Sequence, residues 1–168
     1  VATGSAIATT SSIQFEGTQF PSNPNQLLKL DAVSMEELAR AQLGDQEEVI
    51  CMKLATDCQN VALMTRFDNQ FILSLYDSKS LRLQHRNTFS LPERYVLKGS
   101  QDRGRLLHCE IFSAQDKWLC FVSDWSNHTP ILMEFSSTLK LVDTYPLADR
   151  GKYVWDSALV QGTCHILV

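Results

Sequence analysis

The chain repeats itself once, with a period near 58 residues, and this constrains its fold more than any other feature. Cys51-Met52-Lys53-Leu54-Ala55-Thr56 overlays Cys109-Glu110-Ile111-Phe112-Ser113-Ala114. Asn60-Val61-Ala62-Leu63-Met64-Thr65-Arg66 falls in the same register on Trp118-Leu119-Cys120-Phe121-Val122-Ser123-Asp124. One added residue near Asn127 brings Phe71-Ile72-Leu73-Ser74-Leu75-Tyr76-Asp77-Ser78 onto Pro130-Ile131-Leu132-Met133-Glu134-Phe135-Ser136-Ser137. One deletion at Lys79 then aligns Ser80-Leu81-Arg82-Leu83 with Thr138-Leu139-Lys140-Leu141. The two copies match in residue class more than in identity. A period of this length means one supersecondary unit copied, each copy burying its apolar face against a neighbour.

From residue 49 onward the chain reads as short strands. The runs are 49–55, 60–66, 70–76, 81–89, 94–98, 106–112, 118–124, 130–135, 139–145, 153–155 and 158–168. They are rich in Val, Ile, Leu, Phe, Tyr and Thr, with Asp57, Asp68-Asn69-Gln70, Asp77-Ser78, Gly99-Ser100, Ser126-Asn127 and Asp149-Arg150-Gly151 between them. Strands about ten residues apart with turn chemistry between define an antiparallel all-β domain, and nothing alternates with helices to build a parallel sheet. Trp118 and Phe121 have opposite parity on one strand, so one belongs to the core and the other faces another layer.

About four strands per repeat, with a hydrophobic third strand leading through an Asp/Ser turn into a Leu-containing outer strand, resembles the blade of a WD-repeat β-propeller. The resemblance covers about 49–168, although neither copy has a Gly-His opening or a Trp-Asp ending, and Val154-Trp155-Asp156 lies elsewhere in the repeat. It implies a partial propeller, since closure takes about four blades or more. Repeat one spans about 49–106, repeat two about 107–161, and a third begins at 162–168, where Gly162-Thr163-Cys164-His165 resembles Leu107-His108-Cys109-Glu110. The alternative is a closed β-barrel or sandwich in which the repeat marks a duplication.

Ahead of the repeats, residues 1–26 are polar and read as an arm, with only Ile13-Gln14-Phe15 strand-like, and 27–168 form a single β-rich domain. Ser34-Met35-Glu36-Glu37 has the form of a capping box. Met35, Leu38, Ala39 and Leu43 follow at helical spacing and Gly44 is placed to stop the helix, predicting one short helix at about 35–43. Glu36 and Glu37 suit that helix's N-terminus, and Glu47-Glu48 reads as a solvated face. The chain starts at Val1 and ends in an apolar run, so we expect a piece of something longer.

With 168 residues, 44% of them hydrophobic and 20% charged, the chain can bury one ordinary core. The net charge of −4 and the lack of a basic cluster beyond Arg103-Gly104-Arg105 speak against a nucleic-acid ligand. No apolar run approaches the roughly 20 residues of a membrane span, and Thr3 to Ser12 lacks the pattern of a signal peptide. Five cysteines without a C-x-x-C point to a reducing compartment, so we expect an intracellular protein, cytoplasmic or nuclear.

The sequence shows no Gly-x-Ser-x-Gly, no glycine-rich phosphate loop and no His-Glu-x-x-His. His108-Cys109 and Cys164-His165 are strand neighbours that point to opposite faces, and Cys51 and Cys58 are separated by a turn, so no metal set follows. Ser123, Asp124 and His128 do not make a natural triad, because the first two face opposite ways. We therefore expect no enzyme activity, cofactor or metal. The candidates for partner binding are Trp125 and His128 in the loop after one strand, Phe67 at the matching position of the first repeat, and Arg103 and Arg105 between repeats. A loop tryptophan offers large contact area at low entropy cost. The functional expectation is a protein–protein interaction module of a larger scaffold, binding other chains or itself through loops and strand edges, with 158–168 as one such edge. The alternative is a barrel that carries a small apolar ligand.

Overall fold

The computed structural model describes residues 5–10, 25–67, 70–90, 107–114, 116–124, 131–146, 156–160 and 163–167. All regular structure among them is β. The strands are β1 (Ser5–Thr10), β2 (Gln26–Asp31), β3 (Glu37–Gln42), β4 (Glu48–Leu54), β5 (Asn60–Phe67), β6 (Gln70–Asp77), β7 (Leu83–Phe89), β8 (Leu107–Ala114), β9 (Lys117–Asp124), β10 (Ile131–Ser136), β11 (Leu141–Pro146), β12 (Asp156–Val160) and β13 (Thr163–Leu167). They make antiparallel meanders in which every hydrogen-bonded neighbour within a sheet is a neighbour in sequence. Sheet I is β1-β2-β3, sheet II β4-β5-β6-β7, sheet III β8-β9-β10-β11 and sheet IV the pair β12-β13.

Sheets I, II and III stack face to face in chain order. Leu27 and Leu43 from the first meander interleave with Val61, Leu63, Tyr76 and Leu81 of sheet II, with Ile7, Ala39, Ala41, Val49 and Met52 around them. On its other face sheet II sends Ala62, Met64, Phe71, Leu73, Leu75 and Phe89 against Cys109, Ile111, Trp118, Cys120, Val122, Ile131, Met133, Phe135 and Leu139 of sheet III. Phe89 lies between Phe71, at 5.8 Å, and Phe135, at 5.1 Å between ring centroids. Sheet II is thus a middle layer, which is why Val61-Ala62-Leu63-Met64 and Phe71-Ile72-Leu73 read as unbroken apolar runs rather than as alternation. The outermost strand β7 is exposed along most of its length. Full burial of a side chain such as Leu63 or Leu73 stabilises by about 1.5–3 kcal/mol. Trp118 and Phe121 are both buried and on opposite faces of sheet III, as their parity requires.

The last two strands of sheets I, II and III are joined by the same turn. In sheet II, Asp77 N donates to Arg82 O at 2.9 Å and Leu81 N to Asp77 O at 2.8 Å. Asp77 Oδ1 accepts from the amides of Lys79 and Ser80, and Ser80 Oγ from that of Arg82. In sheet I, Asp31 N donates to Glu36 O at 2.9 Å and Met35 N to Asp31 O at 3.0 Å. Asp31 Oδ1 accepts from Val33 and Ser34, and Ser34 Oγ from Glu36. Sheet III has the version one residue shorter, with Ser136 N to Lys140 O and Leu139 N to Ser136 O, each at 2.9 Å. All three turns end on a residue in the left-handed region, at φ 60° for Met35, 54° for Leu81 and 63° for Leu139. All three follow a β-bulge at Lys29/Leu30, Leu75/Tyr76 or Glu134/Phe135. The repeat therefore has a further copy, in sheet I.

That copy replaces the expected helix at 35–43. Ser34 serves as a turn acceptor rather than a helix cap, because Asp31 and Ser34 satisfy local amides and Met35 reverses the chain. Met35 and Leu38 are exposed instead of forming a buried helical stripe, while half-buried Ala39 and Ala41 alternate along β3 toward sheet II. Gly44 stops no helix; a Cβ there would collide with the Glu47 carboxylate. Part of the segment read as a polar arm, Ser5–Thr10, is a strand paired with β2. The single strand expected at 158–168 is a hairpin, β12-β13. None of the sheets closes into a barrel among the described residues, so of the alternative fold only the closed barrel is removed. The strands expected at 94–98 and 153–155 and the short Ile13–Phe15 segment lie outside the described residues.

Candidate functional site

Chemistry-bearing side chains concentrate at the two junctions between layers. Between sheets I and II sits Glu47, buried rather than part of a solvated face. Its Oε1 pairs with the Arg86 guanidinium from β7, and its Oε2 accepts from Thr65 Oγ1 at 2.7 Å. Asn25 ties this corner to sheet I, donating from Nδ2 to Glu47 O and accepting from Leu43 N at 2.9 Å. Burial pushes the nearby Tyr76 phenol above its usual range; the Glu47 charge adds to the shift, and Arg86 and a hydrogen bond with Ser74 oppose it. The group holds the segment entering β4 against β5 and β7 and, through Asn25, against the first meander.

Between sheets II and III the inner strands β4 and β8 run side by side, and the contacts step along both in the same direction. Cys51 Sγ meets Cys109 Sγ at 2.9 Å, Lys53 Nζ stands 4.0 Å from Glu110 Oε2, and Thr56 N donates to Ser113 Oγ at 2.9 Å. At the outer side, Asn87 Nδ2 donates to Leu139 O at 2.8 Å. The hydrogen bond with Cys51, together with burial, pushes the Cys109 thiol well up, and burial does the same to Cys120.

The third feature is an uncovered face. Tyr76 and Leu81 point from sheet II toward the preceding sheet I, and Phe135 and Leu139 from sheet III toward the preceding sheet II. Their counterparts in sheet I are Leu30 and Met35, and no sheet among the described residues precedes it. Leu81 and Leu139 are accordingly 2% and 0% exposed, whereas Met35 is 63% exposed, with Val33 and Leu38 open beside it. Arg40, paired with Glu37, borders this surface. Sequence reasoning missed it because it placed Met35 and Leu38 on a helix. The usable signal was the Asp-x-x-Ser-Met of 31–35, which parallels Asp-x-x-Ser-Leu at 77–81.

Of the partner-binding candidates, Phe67 ends β5 opposite Gln70 and is 38% exposed. Trp125, His128, Arg103 and Arg105 lie outside the described residues. An open cleft of about 490 Å³ beside the second turn is lined by Asp77, Ser80, Arg82, Leu83 and Gln84, a polar setting unlike the largely apolar pockets that hold small ligands. Among the described residues no three His, Cys, Asp or Glu side chains are placed to hold a metal ion, and no helix is long and apolar enough to cross a membrane. No family model matches the chain, and no curated protein is significantly similar to it.

Proposed function

We propose that the chain is a non-catalytic protein-interaction module, a stack of propeller-type blades of the WD-repeat kind acting within a larger intracellular assembly. It binds other protein chains, or further sheets of its own type, through the outer face of sheet I, its loop tips and its open strand edges. The single observation that supports this is the exposed Met35, whose two counterparts in the same turn are buried under a preceding sheet. A face with Val33, Met35 and Leu38 open to water is the kind of contiguous apolar surface that marks an interface.

The test compares the chain with Met35→Lys/Leu38→Lys and with Phe67→Ser, using light scattering over a concentration series and retention of proteins on the immobilised chain. All variants are first matched for unfolding midpoint. Self-association or specific retention by the unaltered chain, lost in the double variant, supports the reading. A monomer that retains nothing, or retention unchanged in every variant, sinks it.

A further inference from the structure

We propose that Cys51 and Cys109 are a redox pair, converted by a low-molecular-weight disulfide of the glutathione class into one disulfide that ties sheet II to sheet III. The two cysteines occupy matching positions of successive repeats, on inner strands that lie side by side, and their sulfurs are 2.9 Å apart. That is about 0.9 Å longer than a disulfide bond and shorter than an ordinary sulfur–sulfur contact. Contacts between the same two strands follow the pair on its C-terminal side, Lys53 with Glu110 and Thr56 with Ser113, and hold the strands at this spacing. Bond formation therefore asks for side-chain rotation more than for movement of the sheets.

The other described cysteines are placed differently. Cys120 is fully buried, where no reagent reaches it, and Cys58 is exposed in the β4–β5 turn, where it can form only a mixed disulfide. Cys51 is half-buried and is the member of the pair that an outside reagent meets first. Its thiolate attacks one sulfur of the small disulfide; that S–S bond breaks, and one small thiol leaves with a proton. Cys109 Sγ, losing its own proton, then attacks Cys51 Sγ and expels the second small thiol. Two protein thiols lose two electrons, and the small disulfide gains them. Burial and the Cys51 hydrogen bond hold the Cys109 thiol protonated, so the second step quickens as pH rises.

Trypsin places all five cysteines in separate peptides, with Cys51 before the cut at Lys53, Cys109 before Lys117 and Cys120 before Lys140. The folded chain is equilibrated with oxidised glutathione, blocked by alkylation and mapped without reduction. The expected result is one linked peptide joining Cys51 to Cys109 and lighter by two hydrogens, reversed by dithiothreitol, with Cys120 alkylated only after unfolding. The same oxidised sample unfolds at a higher denaturant concentration than the reduced one. A stable glutathione adduct on Cys51, a Cys51 linked elsewhere, or a link that forms only in denaturant overturns the proposal. Because the readout is the unaltered chain, no variant has to fold.

Discussion

Glycine placed at Met35, Leu81 and Leu139 in turn should raise stability at the first position and lower it at the other two. All three residues adopt the left-handed conformation, which costs a non-glycine residue roughly 1–2 kcal/mol and costs glycine nothing. Glycine also loses more freedom on folding, which returns about 0.4–1 kcal/mol of that gain. At Met35, with 63% of the residue exposed, little burial is lost and the balance is a gain of about 0.5–1 kcal/mol. At Leu81 and Leu139 removal of a buried leucine costs about 2–5 kcal/mol, so relief of the backbone leaves a net loss of about 2–4 kcal/mol. Urea unfolding reads these differences directly, and in a chain of this size each 1 kcal/mol moves the thermal midpoint by about 2–4 °C. A helix over 35–43 predicts the opposite sign at the first position, because glycine weakens a helix by up to about 1 kcal/mol. Loss of stability in Met35→Gly, or a gain in Leu139→Gly, would refute the claim that the three turns share a conformation and differ only in cover.

Arg86→Met leaves the Glu47 carboxylate buried with only the Thr65 hydroxyl; because the Arg86 side chain is 36% exposed, we expect a loss of about 2 kcal/mol in urea unfolding, below the roughly 3–5 kcal/mol of a fully buried pair. A change of under about 0.5 kcal/mol would place the pair among surface contacts. The Ser80 hydroxyl and amide hold the Asp77 carboxyl below its usual range, so its contribution is present above the unfolded-state value near 3.8 and is lost as pH falls through the lower folded value. Asp77→Asn should therefore be less stable than the unaltered chain at neutral pH, with the gap closing in acid; a gap independent of pH would count against the turn geometry. Oxidation of Cys51 with Cys109 closes a loop of 58 residues, for which chain entropy gives about 4 kcal/mol of stabilisation, measurable as the difference between reduced and oxidised unfolding curves.

The sequence was most legible where burial is two-sided. Val61-Ala62-Leu63-Met64-Thr65 and Phe71-Ile72-Leu73 have one reading as short runs between turn residues, and their strands fall within two residues of the expected limits. The Cys51–Cys109 equivalence, taken from class similarity alone, turns out to be a physical contact between inner strands. Sheet I was illegible for an identifiable reason. Along β3 its inner face is supplied by small Ala39 and Ala41, and its outer face carries apolar residues exposed among the described residues, so period-2 alternation was faint and Met35, Leu38, Ala39 and Leu43 mimicked a helical stripe. Glu47 was misjudged because nothing in Glu47-Glu48 says which of two adjacent carboxylates faces inward. Its partners Thr65 and Arg86 lie 18 and 39 residues further along the chain.

Apolar contact between flat layers is non-directional and does not by itself fix how one sheet sits on the next. Here each junction carries polar contacts near its edge: Asn25 with the Glu47 carbonyl between the first meander and sheet II, and Thr56 with Ser113 and Asn87 with Leu139 O between sheets II and III. A buried polar group left without its partner is costly, so these contacts penalise sliding or rotation that the apolar residues alone would tolerate. Both faces of sheet II are packed in this way, which leaves it its edge strand β7 and loop tips but no open face. The outer face of sheet I has an apolar component in Met35 and Leu38 and a polar border in Arg40 with Glu37, the same combination found at the filled junctions. A partner that lays a sheet there with an acceptor facing Arg40 would meet the requirements that sheets II and III already meet for each other. A partner offering apolar area alone would bind without a defined orientation.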